Sequence, residues 1–176
     1  MVNYQLGHSN RYMNSYNQIK TTPWFSQLSE QQQLLVQTSL MLLEQAKNNQ
    51  LPDYSYLIFP IAKAYEGFLK NFLLSLNLID QQTFQSRRFR IGRSLNPDVS
   101  PRYRDGDWLF DDLEQVCGQD LARSLWETWL ECRNRVFHFF PSEYRPLELA
   151  TAQRRIEQLL LAMQQAVGCL DQERIH

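Results

Sequence analysis

Apolar residues recur every three or four positions along four long segments of this chain, which is the spacing of amphipathic α-helices. The segments cover about residues 29–48, 54–77, 119–140 and 146–171. A shorter segment at about 107–116 has the same spacing. Apolar and polar residues do not alternate over the length of a strand, so no sheet is predicted. The pattern predicts an all-α fold, a bundle of four long helices with one extra short helix.

Capping and breaking residues indicate where these helices begin and end. Ser29 lies three residues before Gln32, which is the spacing of a capping box. Pro60 is expected to kink the second helix or to mark its first turn, and Gly118 is expected to end the short helix. Pro146 has the position of a first-turn proline in the last helix.

The length and composition predict one domain. A chain of 176 residues of which 43% are hydrophobic is long and apolar enough to bury a core. Residues 1–28 are predicted to be a polar N-terminal arm, and 29–176 a single helical domain. Neither a signal peptide nor an apolar run of the ~20 residues that a membrane helix needs is visible. Three cysteines without a C-x-x-C motif favour a reducing compartment, so we expect a cytoplasmic protein with no membrane partner.

The net charge of −1 argues against a polycation that coats nucleic acid, but it results from a cancellation along the chain. Residues 80–106 break the helical period and are expected to form a long loop. Within it, residues 87–104 contain six arginines and one acid, whereas residues 105–114 contain five acids and no base. The arginines of this loop are Arg87, Arg88, Arg90, Arg93, Arg102 and Arg104.

These loop arginines have two interpretations. Phe89 and Tyr103 are interleaved with them, a combination suited to phosphate neutralisation and to base stacking on unpaired RNA. The alternative is pairing within the chain to the acids that follow. A partner protein or a second protomer could equally use this surface.

The segment C-R-N-R-V-F-H-F-F, near the end of the predicted helix over 119–140, contains the candidate catalytic residues Arg133, Asn134 and His138. Asn134 and His138 are four apart and would lie on one helix face. An imidazole can exchange a proton with a 2′-hydroxyl or a leaving 5′-oxygen, and a guanidinium can stabilise the charge that develops on a phosphate. The structural alternative is that His138 interacts with the dipole at the helix C-terminus.

This R-N-x-x-x-H pattern resembles the signature of the HEPN superfamily. The segment P-I-A-K-A-Y-E-G-F-L-K at 60–70 is similar to the HEPN domain at the C-terminal end of RNase LS-type toxins. The resemblance covers about residues 30–170 and implies a homodimer with a composite active site, in which Arg133 and His138 are catalytic and Asn134 supports them. It also implies a metal-independent endoribonuclease without cofactors, acting as a toxin or an antiviral effector, with a cognate antitoxin as a partner.

Four further features complete the candidate site. Glu66 would either hydrogen-bond Arg133 or the substrate, or form an ordinary i, i+4 pair with Lys70. Arg135 adds a second guanidinium beside the R-N-x-x-x-H pattern, and it is expected to bind RNA.

The aromatic residues of this region are expected to pack in the core or at a dimer interface: Trp126, Trp129, Phe137, Phe139 and Phe140. Phe140 also stands where some HEPN toxins have a tyrosine that a nucleotidyltransferase antitoxin modifies, so that form of control is not expected.

Two rival functions stay open at this point. The first is a non-catalytic HEPN-like dimer that binds RNA, a nucleotide or a partner protein. The second is an antitoxin-like helical partner, which would form a tight complex with another protein and would not be toxic when expressed alone.

Overall fold

The computed structural model describes residues 17–139, 141 and 145–173. The first sixteen residues of the predicted arm and Phe140 lie outside this part of the chain. All regular structure in the described residues is helical, so the predicted all-α class is confirmed.

Nine α-helical segments follow one another along the described chain. They are α1 Pro23–Ser26, α2 Glu30–Ala46, α3 Phe59–Ser75, α4 Gln81–Gln85, α5 Ile91–Ser94, α6 Phe110–Cys117, α7 Gln119–Trp129, α8 Arg135–Phe137 and α9 Leu149–Glu173. Two short 3-10 helices and one π-helical turn complete the set: Ser55–Leu57, Pro101–Tyr103 and Leu130–Asn134.

The start of α2 is the predicted capping box. The Ser29 hydroxyl accepts from the Gln32 backbone N–H at 3.3 Å, and the Gln32 side-chain oxygen accepts from the Ser29 N–H at 2.9 Å. These two bonds satisfy donors that a helix N-terminus otherwise leaves without partners. From there α2 packs against α3 along much of its length.

The central helix is α3, which contacts both α2 and α9. Pro60 marks the first turn of this helix, one of the two roles predicted for it. The backbone N–H groups of a first turn have no partner within the helix, so a proline there removes no helical hydrogen bond. Tyr65 is fully buried, and its hydroxyl donates to the Leu125 carbonyl at 2.9 Å, which ties α3 to α7. Burial raises the pKa of Tyr65 well above its ordinary value, because the phenolate would lose its hydration.

The predicted arm is wrong at its C-terminal end. Trp24, Phe25 and Leu28 are all buried in the core, and α1 packs against α9. Three large apolar side chains within five residues are enough to anchor this short segment, although it is too short to show a helical period. The folded domain therefore begins before residue 29.

The predicted loop over 80–106 is more ordered than expected. It contains α4, α5 and a 3-10 helix, and it buries Phe89, Ile91 and Leu95, which are at most 4% exposed. These three side chains hold the Arg-rich segment on the helices beneath it. The loop is thus a fixed surface of the domain.

The predicted helix over 119–140 ends early and is interrupted. After α7 the chain forms a π-helical turn, in which the Arg135 N–H donates to the Leu130 carbonyl five residues back. The helix then ends at Phe137, and His138 has extended backbone angles of φ −101° and ψ 136°. Proline disfavours the α conformation in the residue before it, so Pro141 limits how far this helix can extend.

The last helix begins three residues later than predicted, at Leu149. Leu147 instead pairs with the turn before α3, because its carbonyl accepts from the Tyr54 N–H at 2.9 Å and its N–H donates to Asp53 at 3.4 Å. The Glu148 carbonyl then accepts the first bonds of α9. Pro146 therefore lies outside the helix.

The structure contains a disulfide that the sequence analysis did not predict. Cys117 at the end of α6 is bonded to Cys169 in α9, with the two Cα atoms 5.8 Å apart. The two cysteines are 52 positions apart in the sequence, so no short spacing signals the pairing, and the disulfide removes the cysteine argument for a reducing compartment. Cys132 is a buried free thiol.

None of the described helices combines the length and apolar character needed to cross a bilayer.

Candidate functional site

Arg133 lies on the π-helical turn and contacts two residues of the core-facing helices. Its guanidinium carbon is 4.9 Å from the centroid of the Trp129 ring, and its Nη2 atom is 3.5 Å from Glu66 Oε2. The Glu66 carboxylate therefore forms an ion pair with Arg133, one of the partners expected for it, whereas no ion pair joins Glu66 to Lys70 among the described residues. A contact of Glu66 with the substrate stays a prediction. Lys70 lies instead 5.9 Å from the centroid of the Phe89 ring.

The Arg133 and Asn134 side chains line a small pocket of about 230 Å³, which we call the Arg133 pocket. It lies between the π-helical turn, α3 and the Arg-rich loop. The residues that complete its lining are Glu66, Arg90, Ile91, Gly92, Arg93, Trp126 and Trp129. Three guanidinium groups and one carboxylate give it a positive lining on a floor of two buried indoles.

Gly92 makes this pocket possible. A Cβ atom placed on Gly92 would lie 2.5 Å from Trp129 Nε1 and 3.2 Å from Trp129 Cε2, so no other residue leaves room for the indole. The close approach presses the loop onto α7. Arg90 and Arg93, which flank this glycine, are thereby brought to the same pocket as Arg133.

His138 lies in a different place from Arg133 and Asn134. It is exposed at the end of α8 and lines a groove of about 800 Å³, which we call the His138 groove. Its N–H still donates to the Asn134 carbonyl at 3.2 Å. The prediction that Asn134 and His138 share one helix face is wrong for their side chains, because Asn134 lines the Arg133 pocket and His138 lines this groove.

The His138 groove contains two arginines that the sequence analysis missed. Arg155 of α9 has Nη2 3.7 Å from Glu131 Oε2, and Arg145 lies between Pro141 and α9. Glu131 also forms an ion pair with Arg135, which is exposed. Arg155 could have been noticed, because it directly precedes Ile156 in the apolar stripe of α9.

Two of the loop arginines are engaged within the chain. Arg93 Nη2 is 2.5 Å from Asp105 Oδ2 and donates to the Tyr103 carbonyl at 3.0 Å. Arg104 stacks 3.9 Å from the Trp108 ring centroid and donates to the Val99 carbonyl at 2.9 Å. For these two residues the intramolecular interpretation is supported.

The other loop arginines remain exposed to solvent. In the part of the chain that the structure describes, no carboxylate forms an ion pair with Arg87, Arg88, Arg90 or Arg102. Tyr103 is 58% exposed, with the Arg102 guanidinium 4.7 Å from its ring centroid. The prediction that Phe89 stacks on a base is wrong, because this ring is only 4% exposed.

The aromatic residues of the motif region divide into two groups. Trp126 and Trp129 are buried, as predicted. Phe137 is 37% exposed and packs edge-on against Phe59 at 5.7 Å between centroids, and Phe139 is 71% exposed. Core packing is therefore wrong for Phe137 and Phe139, whereas their place at a dimer interface stays a prediction.

Cys132 lies beside the catalytic candidates but is not reactive. Burial raises its pKa to about 12, an effect that Glu131 increases and Arg155 opposes. The thiol donates to the Gln158 side-chain oxygen at 3.3 Å. A protonated, buried thiol is a poor nucleophile. Cys132 therefore contributes to the packing between the π-helical turn and α9.

The comparisons with known proteins add no relative to this description. Neither a family model, nor a curated protein, nor a solved structure matches the chain. The resemblance to the HEPN superfamily therefore depends on the residues and motifs themselves, and the function is argued from the site.

Proposed function

We propose that this protein is a metal-independent endoribonuclease of HEPN type, a helical bundle that acts as a homodimer. The observation that carries the proposal is the Arg133 pocket. It joins Arg133 and Asn134 to the Arg-rich loop in one positively charged site, and the exposed His138 follows Asn134 four residues later in the chain. Phosphate binding and proton transfer are the two functions that RNA cleavage without a metal requires.

In the proposed reaction, the ribose 2′-oxygen attacks the neighbouring phosphorus as its proton passes to the His138 imidazole, and the resulting imidazolium gives a proton to the leaving 5′-oxygen. The bond from phosphorus to the 5′-oxygen breaks, and that oxygen leaves as a hydroxyl. Arg133 stabilises the negative charge on the phosphoryl oxygens, and Asn134 orients the substrate. The products are a 2′,3′-cyclic phosphate and a 5′-hydroxyl, so no external oxidant or water is needed in this step.

The separation of the two cavities supports a dimer. One protomer offers Arg133 to one cavity and His138 to another. A second protomer could place its His138 opposite the first Arg133. The exposed rings of Phe59, Phe137 and Phe139 offer apolar surface for such a contact.

Two observations favour the non-catalytic alternative, a dimer that binds RNA or a partner. Arg133 already has a carboxylate partner in Glu66, and His138 is not in the same pocket. A protein that only binds RNA would need the guanidinium groups but not the imidazole. Substitution of His138 therefore separates the two functions.

The test is incubation of the pure protein with total RNA in the presence of EDTA. We expect cleavage by the wild type and a loss of about 10²–10⁴-fold in His138→Ala, the usual contribution of a general acid or base. Arg133→Ala is expected to lose about 10²–10³-fold. Arg123→Ala, an exposed arginine of α7 outside both cavities, is the matched control. Cleavage that persists in both variants, or that disappears with the chelator, contradicts the mechanism.

Expression tests the biological role. A toxin is expected to arrest growth when the wild-type chain is induced, and His138→Ala is expected to relieve the arrest. An antitoxin-like partner predicts instead no arrest by either form and a stable complex with a second protein.

A further inference from the structure

The three arginines of the Arg133 pocket differ in how their charges are balanced. Arg133 faces Glu66 at 3.5 Å, and Arg93 faces Asp105 at 2.5 Å. Arg90 forms no ion pair with a carboxylate among the described residues, and its Nη1 atom donates only to the backbone carbonyls of the same loop. The pocket therefore carries one uncompensated positive charge, located at Arg90.

The position of Arg90 is fixed by packing. Phe89 and Ile91, on either side of it, are 4% and 1% exposed, so the backbone at this point is anchored in the core. The contact between Gly92 and Trp129 then fixes the distance between the loop and α7. Because the backbone at Arg90 is already anchored, only the Arg90 side chain loses conformational freedom when a ligand binds.

The size and lining of the pocket restrict its ligand. About 230 Å³ accommodates one phosphate with part of its nucleotide, but not a duplex. The buried Trp126 and Trp129 give part of the lining an apolar surface beside the charged groups. Guanidinium groups from two elements can each offer paired N–H donors to the oxygens of one phosphate.

We propose that Arg90 is the phosphate-positioning residue of this site, and that it binds the phosphate of an unpaired RNA strand together with Arg133. This inference rests on the proposed function for the nature of the ligand. It distinguishes Arg90 from the other loop arginines, because Arg87, Arg88 and Arg102 do not line the pocket. Those residues contribute only general attraction to the strand.

The test measures binding without cleavage. The probe is a short single-stranded RNA in which every ribose carries a 2′-O-methyl group, so that the attacking hydroxyl is absent. Its affinity is measured by fluorescence anisotropy over a range of salt concentrations for the wild type, Arg90→Gln and Arg102→Gln. The last variant is the matched control, because it removes one exposed arginine of the same loop outside the pocket.

We expect Arg90→Gln to weaken binding roughly tenfold and Arg102→Gln less than about twofold, since a charge-assisted hydrogen bond contributes more than general attraction. Loss of a phosphate contact should also reduce the slope of log affinity against log salt by about 0.7. Gly92→Ala should weaken binding as well, although it removes no charge, because it lifts Arg90 away from Arg133. Equal effects of Arg90→Gln and Arg102→Gln on affinity and slope overturn the inference.

These outcomes are separable from those of the proposed function. If the wild type cleaves RNA but Arg90→Gln binds the probe like Arg102→Gln, the nuclease proposal stands and the role of Arg90 is refuted. If Arg90→Gln weakens binding but the wild type cleaves no RNA, the pocket is a binding site for RNA and the nuclease proposal fails.

Discussion

Replacement of Gly92 by alanine tests the packing on which the Arg133 pocket depends. The added Cβ would lie 2.5 Å from Trp129 Nε1, a distance at which atoms cannot remain. Trp129 is 4% exposed and has Arg133 stacked on its ring, so the indole has little space into which to move. Overpacking of this kind costs about 1–3 kcal/mol. The better helix propensity of alanine in α5 returns about 0.5–1 kcal/mol.

The expected net effect is therefore a loss of up to about 2.5 kcal/mol in the free energy of unfolding, or a Tm lower by up to about 10 °C for a domain of this size. Urea unfolding followed by circular dichroism measures it. Gly168→Ala is the matched control, because Gly168 lies within α9 with open space around its Cβ position, and alanine should stabilise it by about 0.5–1 kcal/mol. A Gly92→Ala variant as stable as Gly168→Ala would refute the close contact with Trp129.

Three further substitutions test the fold. Breaking the bond between Cys117 and Cys169 by a double serine substitution should cost about 3–4 kcal/mol, seen as a lower urea midpoint that reducing agent leaves unchanged. Ser29→Ala should cost about 1 kcal/mol, and an unchanged thermal midpoint would contradict the capping box. Burial raises the pKa of Cys132 from 9.0 to about 12, so the protonated thiol stabilises the folded state. This contribution to stability is fully present below pH 9 and is lost as the pH rises toward 12. Cys132→Ala should therefore flatten the decline of stability between these pH values.

The long helices could be predicted because their own side chains form the core. The apolar stripe of α3 and the capping box of α2 are local patterns, and both are present in the structure. Glu66 could be singled out because its acidic side chain interrupts an otherwise apolar helix, and Arg133 is one of the partners predicted for it.

The remaining features depend on contacts between distant segments, which spacing does not reveal. The Leu147 backbone pairs with Tyr54 far away in the chain, and this pairing delays the last helix. The helix ends at Phe137 and His138 has extended backbone angles, so the helical spacing of four does not bring the Asn134 and His138 side chains to one cavity. The approach of Gly92 to Trp129 joins the loop to the motif, and nothing in the sequence around Gly92 indicates it.

The most direct test of the proposed composite site is complementation between two inactive protomers. Arg133→Ala and His138→Ala chains, carrying different affinity tags, are co-expressed, and the mixed dimer is purified through both tags. In a site that takes Arg133 from one protomer and His138 from its partner, the mixed dimer contains one intact site. We therefore predict about half of the wild-type RNA cleavage in EDTA. Cleavage no higher than that of either parent variant would contradict the composite site.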